Sequence, residues 1–572
     1  MTTTFSPDNP FAALIPRPEP AVPVLGTRRV PNTPAELGLD PTLFSAWRPG
    51  QRDIVQRVSD WALDFAPSSP KFYLLEAPTG IGKSLIAAAV LEMVKRNTPG
   101  AGFYGVVSTI TRNLQTQYMS EALAARAHSA WGRGNHVCDV LGPGSDPADA
   151  PCAHGFRCPI RDACSYYIER DAAHVGPLAV LNSAFYITGV NYVRVGESLQ
   201  TEERGSNLFG GASLVVHDEA HLLEHAIRNL IEVRLYRDFW EEVGYPLPRV
   251  SDYGQWQLYL SAAADAVTEL SDRYEREARS LARTGQLPDD PLGKRAVAQN
   301  RARETFEKEL LPHHPLISHE PKYVLARPIW GAPFGEKYLW RHAQKHLLMS
   351  ATIPHPKYTA GTLGIEDGEY IYDSVPSPFP VMSRRVIYEP VVKMSARTTP
   401  AQFARIVARM DELLDARSDR KGIIHSVSYQ RAKDIIAISR HAHRMVTHTP
   451  GKGQKEKAIQ GFLDAPDGAI LVSPSVGVGE DFGRGDNCRF QMFIKWPIPY
   501  LGDPVVKARS EQNPDSLWVE ADMAFIQMVG RGTRSADDWC ENFVLDMTAG
   551  YRFRRLPTAF QETVIKRSTP TT

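Results

Sequence analysis

Gly80, Gly82, Lys83 and Ser84 fall in the segment EAPTGIGKS (76–84), between a strand-like apolar run and a helix-like run. This is the spacing of a phosphate-binding loop, with Ala77 where a first glycine usually stands. Glycines let backbone N–H groups curl around a phosphate. The helix N-terminus adds a positive end, and a lysine at this place reaches the β- and γ-phosphates. Thr79 completes the loop, and Ser84 is placed to ligate the Mg²⁺ of a bound ATP. A second segment, SLVVHDEAH (213–221), is an apolar strand that ends in Asp218-Glu219-Ala220-His221. A carboxylate at a strand end near such a loop can hold Mg²⁺, which is the role expected of Asp218. Glu219 is then placed to orient or deprotonate an attacking water, and His221 to couple the site to the rest of the chain.

Three later segments extend this set. Ser350-Ala351-Thr352 follows the strand-like HLLM, where small hydroxyl residues suit a relay of nucleotide state. SVGVGEDF (475–482) is a glycine-rich turn carrying Glu480 and Asp481, with Asp481 a further nucleotide-site candidate. QMVGRGTR (527–534) spaces Gln527, Arg531 and Arg534 about one helical turn apart, on one helical face. Arginines at that spacing can reach a γ-phosphate from a second domain. Each segment alone has a plain structural alternative: a turn before a helix, a solvated strand end, a surface salt-bridge stripe. Together, in this order, they describe an ATP-hydrolysing site.

Cys138, Cys152, Cys158 and Cys164 lie between the phosphate loop and the acidic box, whereas Cys488 and Cys540 are isolated and read as buried thiols. Four thiolates suffice for a [4Fe–4S] cluster or for zinc. Zinc ribbons bring ligands in close pairs, and no such pair occurs here; four reduced cysteines in a loop are the remaining alternative. Tyr166 and Tyr167 beside them could stack on bases or pack the cysteine segment.

The elements that must position these residues are legible from periodicity. Strand-like runs at 72–76, 103–108, 178–181, 213–217 and 346–349 alternate with helix-like runs at 51–65 and 83–96. A second series begins near 386 and runs through 421–427, 469–473, 490–494 and 542–546. Such alternation predicts an α/β fold with mostly parallel, covered sheets. Residues 222–310 read as helical, with Trp256, Tyr259 and Leu260 as core. Residues 1–34 hold eight prolines and read as an extended tail. Lys+Arg and Asp+Glu are both 65, so overall charge does not hold this chain on nucleic acid, although a local basic groove could. Near the end, Arg552, Arg554, Arg555, Lys566 and Arg567 interleave with Tyr551 and Phe553, a mixture that suits single-stranded DNA or a solvated basic helix. No apolar run is long enough to span a membrane, no secretory signal is visible, and six cysteines in 572 residues suit a reducing, cytoplasmic compartment.

The ordered motifs resemble those of superfamily 2 helicases, and within them the XPD/DinG group, closer to DinG. RPGQ (48–51), STITRNLQTQ (108–117), LNSAFY (181–186), SPFP (377–380), WPIPYLGDPVVKAR (496–509) and GRGTRSADDWCENFVLD (530–546) carry the resemblance, which spans about Arg48 to Leu556. It implies two RecA-like motor lobes with ATP between them, and 5′→3′ translocation along single-stranded DNA. Arg48 and Gln51 match the place near the adenine, and Thr109 and Arg112 match DNA-backbone contacts; Tyr166 and Arg552 are added as DNA candidates on the chemistry above. The cysteine segment falls where the group carries a [4Fe–4S] domain. The implied division is a tail at 1–42, a first lobe at 43–136 with 177–225 and 336–375, an iron–sulfur domain at 137–176, a helical Arch-like domain at 226–335 and a second lobe at 376–572. A monomeric helicase acting on forked or structured DNA, as in repair, is the leading expectation. A motor subunit of a repair, phage or CRISPR assembly and a helicase-nuclease are the alternatives.

Overall fold

The computed structural model describes residues 28–98, 102–124, 126–142, 144–145, 147, 150–154, 158–194, 207–281, 288–451, 453–474, 482, 486–533 and 538–566. The chain forms two compact units. One comprises Met1–Leu74, Ser84–Met349 and Lys357–Ile371; the other comprises Leu75–Lys83, Ser350–Pro356 and Tyr372–Thr572. The phosphate loop thus groups with the second unit, and the acidic box with the first. Glu480, Asp481 and Arg534 lie outside the described residues.

The strands of the first half, in chain order, are β1 (Phe72–Glu76), β2 (Gly105–Thr109), β3 (His128–Ala130), β4 (Leu178–Asn182), β5 (Ala212–Asp218), β6 (Val233–Tyr236), β7 (Leu316–His319), β8 (Tyr323–Arg327), β9 (Ala343–Ser350) and β10 (Tyr370–Ser374). Seven of them form one sheet in the order β10-β1-β9-β5-β2-β4-β3. Its pairings β5–β9, β2–β5, β2–β4 and β3–β4 are all parallel. Every residue of β1, β2 and β5 is buried, which is why these strands read as near-continuous apolar runs instead of alternating ones. The helix Lys83–Asn97, which follows the phosphate loop, buries an unbroken run from Leu85 to Val94.

Within this sheet His217 on β5 and His346 on β9 are fully enclosed. His217 Nε2 lies 3.1 Å from His346 Nδ1, and His346 Nε2 lies 3.0 Å from the Trp340 carbonyl. Burial pushes both imidazoles well below their ordinary range, and His217 further disfavours a charge on His346. The folded chain therefore refuses protons that the unfolded chain accepts. Stability is full above about pH 6.5 and falls as pH drops below it, by about 1.4 kcal/mol per pH unit for each such group. Denaturant unfolding at pH 7.5 and pH 5.0 is expected to differ by about 2 kcal/mol per imidazole. A His217→Asn, His346→Gln variant should show a shallower dependence, and an identical slope would refute the assignment.

Residues 222–310 are not wholly helical. β6, β8 and β7 form a three-stranded antiparallel sheet, and β6 alternates buried and exposed residues. Four residues are too short for a periodicity signal against flanking helices, so the strand is invisible in sequence. The helices Tyr253–Ala262, Ala264–Leu281 and Pro291–Thr305 complete this region. Trp256 and Leu260 are buried in its core, and the Tyr259 hydroxyl donates to the Tyr245 carbonyl at 2.6 Å.

The second half contributes β11 (Val386–Val392), β12 (Gly422–His425), β13 (Met445–Val446), β14 (Ile470–Ser473), β15 (Phe490–Phe493), β16 (Glu541–Asp546) and β17 (Val564–Lys566). They form one sheet in the order β13-β14-β12-β15-β16-β11-β17, parallel at every pairing. Apolar clusters cover both faces, one around Phe403, Ile424 and Phe543, the other around Trp496, Phe525 and Phe553. The two large sheets make an α/β fold of two parallel-sheet, RecA-like lobes. Among the described residues no helix is long and apolar enough to cross a membrane.

Candidate nucleotide site and cysteine pocket

In parallel α/β sheets, ligand-binding groups gather at the carboxyl ends of the strands. In the first unit, β5 ends in Asp218, which is buried and held from two sides. The Tyr118 hydroxyl donates to Oδ2 at 3.0 Å, and the Glu219 backbone N–H donates to Oδ1 at 2.9 Å. Tyr118 also hydrogen-bonds Ser84, so one hydroxyl joins the two residues expected at Mg²⁺. Burial and the adjacent Asp218 carboxylate push the Tyr118 hydroxyl far above its ordinary range, so it remains a donor. Nothing in the spacing pointed to Tyr118, which lies a hundred residues before Asp218 in the chain. Glu219 adopts φ 55° and ψ 47°, a left-handed conformation that a non-glycine residue rarely takes and that functional sites often hold. Its Oε2 lies 3.3 Å from His221 Nδ1.

In the second unit, the phosphate loop turns on Gly80 and Gly82, at φ 89° and 83°. Only glycine takes these values without strain. Thr79 and Lys83 are half-buried, with Lys83 opening its helix. A Cβ on Gly80 would sit 1.9 Å from the Phe379 ring, so the aromatic of SPFP lies directly against the loop. The helix Ser516–Val529 carries Gln527, and a 3-10 turn at Gly530–Gly532 carries Arg531; both side chains are half-buried. The single helical face expected for Gln527, Arg531 and Arg534 is interrupted, because the α-helix stops at Val529 and Thr533 is extended. Gly532 leaves room for its neighbour: a Cβ there would sit 2.4 Å from the Cys540 sulfur. Cys540 and Cys488, isolated in sequence, pack in the same buried cluster.

Two residues expected at DNA are buried in the folded chain. Arg552 is 3% exposed. Its guanidinium pairs with buried Asp522 and lies 4.9 Å from the Trp518 ring centre, so it ties the terminal segment to the helix Ser516–Val529. The Thr109 hydroxyl is also buried and donates to the Thr111 and Leu181 carbonyls. Basic and hydroxyl side chains look alike in sequence whether they meet a ligand or a buried partner. Arg112 is exposed at the start of the helix Arg112–Ser120, 5.9 Å from the Trp131 ring centre. Arg48 is exposed, and its backbone N–H donates to Oε1 of buried Gln51 at 2.7 Å.

Cys152, Cys158 and Cys164 come together around Tyr166 and Tyr167. Both tyrosines are buried, packed against the cysteines. Arg133 donates to the Cys152 sulfur at 2.9 Å and stands 4.4 Å from the Tyr166 ring centre, while Arg161 and Arg170 flank Tyr167. Burial, then the neighbouring Cys152 and Cys164, push the Cys158 thiol up. Cys138 lies in a turn outside this cluster. Among the described residues, no three Cys, His, Asp or Glu side chains are disposed to hold a metal ion.

Residues 412–563 match the helicase C-terminal domain family. No curated protein matches the chain. Among solved structures, an XPD helicase superposes with a TM-score of 0.57 at 15% identity, covering 91% of this chain and 99% of the other. Xpd4 of S. tokodaii gives 0.54 at 12% identity over 91% and 100% of the two chains. An apo XPD structure gives 0.52 at 14% identity over 90% and 99%. At these identities the likeness establishes the fold.

Proposed function

We propose that this chain is an ATP- and Mg²⁺-dependent DNA helicase of the XPD/DinG type, moving 5′→3′ on single-stranded DNA. The observation that carries the reading is the acidic box: a buried, oriented Asp218 followed by Glu219 in a left-handed conformation beside His221. A helicase C-terminal domain over 412–563 and the two-lobed fold support it. In this reading Lys83 and the loop N–H groups bind the β- and γ-phosphates, and Arg48 and Gln51 lie near the base. Ser84 and Asp218 offer the oxygen donors that a hard cation takes, and their link through Tyr118 fits a Mg²⁺ site. Bound Mg²⁺ would neutralise charge developing on the phosphates. Glu219 orients the attacking water, Arg531 and Arg534 reach the γ-phosphate, and Gln527 and Asp481 belong to the same nucleotide site. Arg112 holds the DNA backbone.

Cys138, Cys152, Cys158 and Cys164 would hold a [4Fe–4S] cluster. The donor chemistry fits: three thiols share a pocket with Arg133, Arg161 and Arg170, whose positive charge suits an anionic thiolate centre. Such a cluster would staple a loop-rich segment that has little core of its own.

Strand-separation polarity tests the reading. Protein purified anaerobically, with ATP and Mg²⁺, is expected to unwind a 5′-tailed duplex and not a 3′-tailed one. Unwinding of the 3′-tailed substrate alone would overturn the polarity, and the absence of any DNA-stimulated ATPase would overturn the motor.

A further inference from the structure

Glu76, the last residue of β1 and the first of the EAPTGIGKS segment, has no role assigned to it above. It stands immediately before the phosphate loop and is 8% exposed. A buried carboxylate must have partners, and here three residues from two chain segments supply them. Oε1 accepts the Ile353 backbone N–H at 2.8 Å. Oε2 accepts the Tyr372 hydroxyl at 2.6 Å and the Ser374 hydroxyl at 3.0 Å. The backbone repeats the pattern: Ala77 N–H donates to the Ser350 carbonyl at 2.8 Å, and Val375 N–H donates to the Glu76 carbonyl at 2.9 Å.

The two oxygens therefore serve different segments. One serves the 350–353 turn, the other the end of β10, from which a connector leaves. The same connector returns to the loop at Phe379, whose ring lies against Gly80. All these residues belong to the second unit. Tyr372 is 37% exposed, yet its hydroxyl turns inward. Burial, then the Glu76 carboxylate, push that hydroxyl up, so it stays a donor.

We infer that Glu76 is a positioning residue that transmits the state of the phosphate loop to the 350–353 turn and to the 372–380 connector, coupling nucleotide binding to the response to DNA. A displacement of the loop by a bound triphosphate moves the end of β1. Because both carboxylate oxygens are engaged, neither partner segment can stay behind without breaking a charge-assisted hydrogen bond. The inference rests on the ATP-driven reading above.

The test uses full-length protein, wild type against Tyr372→Phe and Glu76→Gln. Tyr372→Phe removes one hydroxyl. Glu76→Gln keeps an acceptor for one segment and presents an N–H₂ group to the other. Both are expected to bind AMP-PNP within about twofold of wild type and to keep basal ATPase within about twofold, while stimulation by single-stranded DNA falls about tenfold, a typical coupling effect. Stimulation retained in both variants would overturn the inference. A wild type without DNA-stimulated ATPase would instead overturn the proposed function. The inference is then decided by hydrogen exchange: AMP-PNP should protect the Ile353 amide and residues 372–375 in wild type and not in Glu76→Gln, and equal protection in the two would overturn it.

Discussion

Lys83→Ala is expected to abolish ATP turnover, with kcat/KM reduced by at least about 10³-fold, because the removed ammonium stabilises phosphate charge in both ground and transition states. Folding should be unaffected, since Lys83 is half-buried at a helix start and alanine is the best helix former. Glu219→Gln should give a comparable loss of kcat while retaining nucleotide. The glutamine is isosteric and fits the same place beside His221, but it lacks the charge that orients or deprotonates water. ATPase with saturating single-stranded DNA, measured beside AMP-PNP binding, separates the two: Lys83→Ala loses both, Glu219→Gln only turnover. Wild-type turnover in either variant would refute the site.

Arg531→Ala is expected to lower kcat by about 10³-fold or more, the range for an arginine that meets transition-state charge. KM for ATP should change little, because a group engaged only at the transition state does not contribute to ground-state binding. Arg531→Lys should not rescue, since a point charge does not reproduce a planar fork. Arg531 lies on the 3-10 turn Gly530–Gly532, directly after the helix that carries Gln527. A proportional rise in KM with unchanged kcat would assign Arg531 to binding and remove its catalytic role.

The strands and helices that frame the site were legible because their signals are local. β1, β5, β14 and β16 appear in the sequence as short apolar runs, and the structure places strands there within a residue or two. The phosphate loop was legible because glycine at a positive φ and lysine at a helix start are demands of backbone geometry, written in consecutive residues. Short elements were not legible. β6 has four residues inside a helical stretch, and a glycine-rich turn breaks the helix before Arg534.

Sequence by itself determined the fold class, the loop that suits a phosphate, the acidic strand end and the cysteine segment, since each depends on residues near one another in the chain. Tertiary structure alone decided partnership. It paired Arg552 with Asp522, and it made Tyr118 the hydroxyl that orients Asp218. It gathered Cys152, Cys158 and Cys164 around two buried tyrosines. It also gave Glu76 its three partner residues, 277 to 298 residues further along the chain. The physical reason is the same in each case. A polar side chain's role is set by what remains within hydrogen-bonding reach once water is excluded, and that neighbour comes from folding rather than from the order of residues.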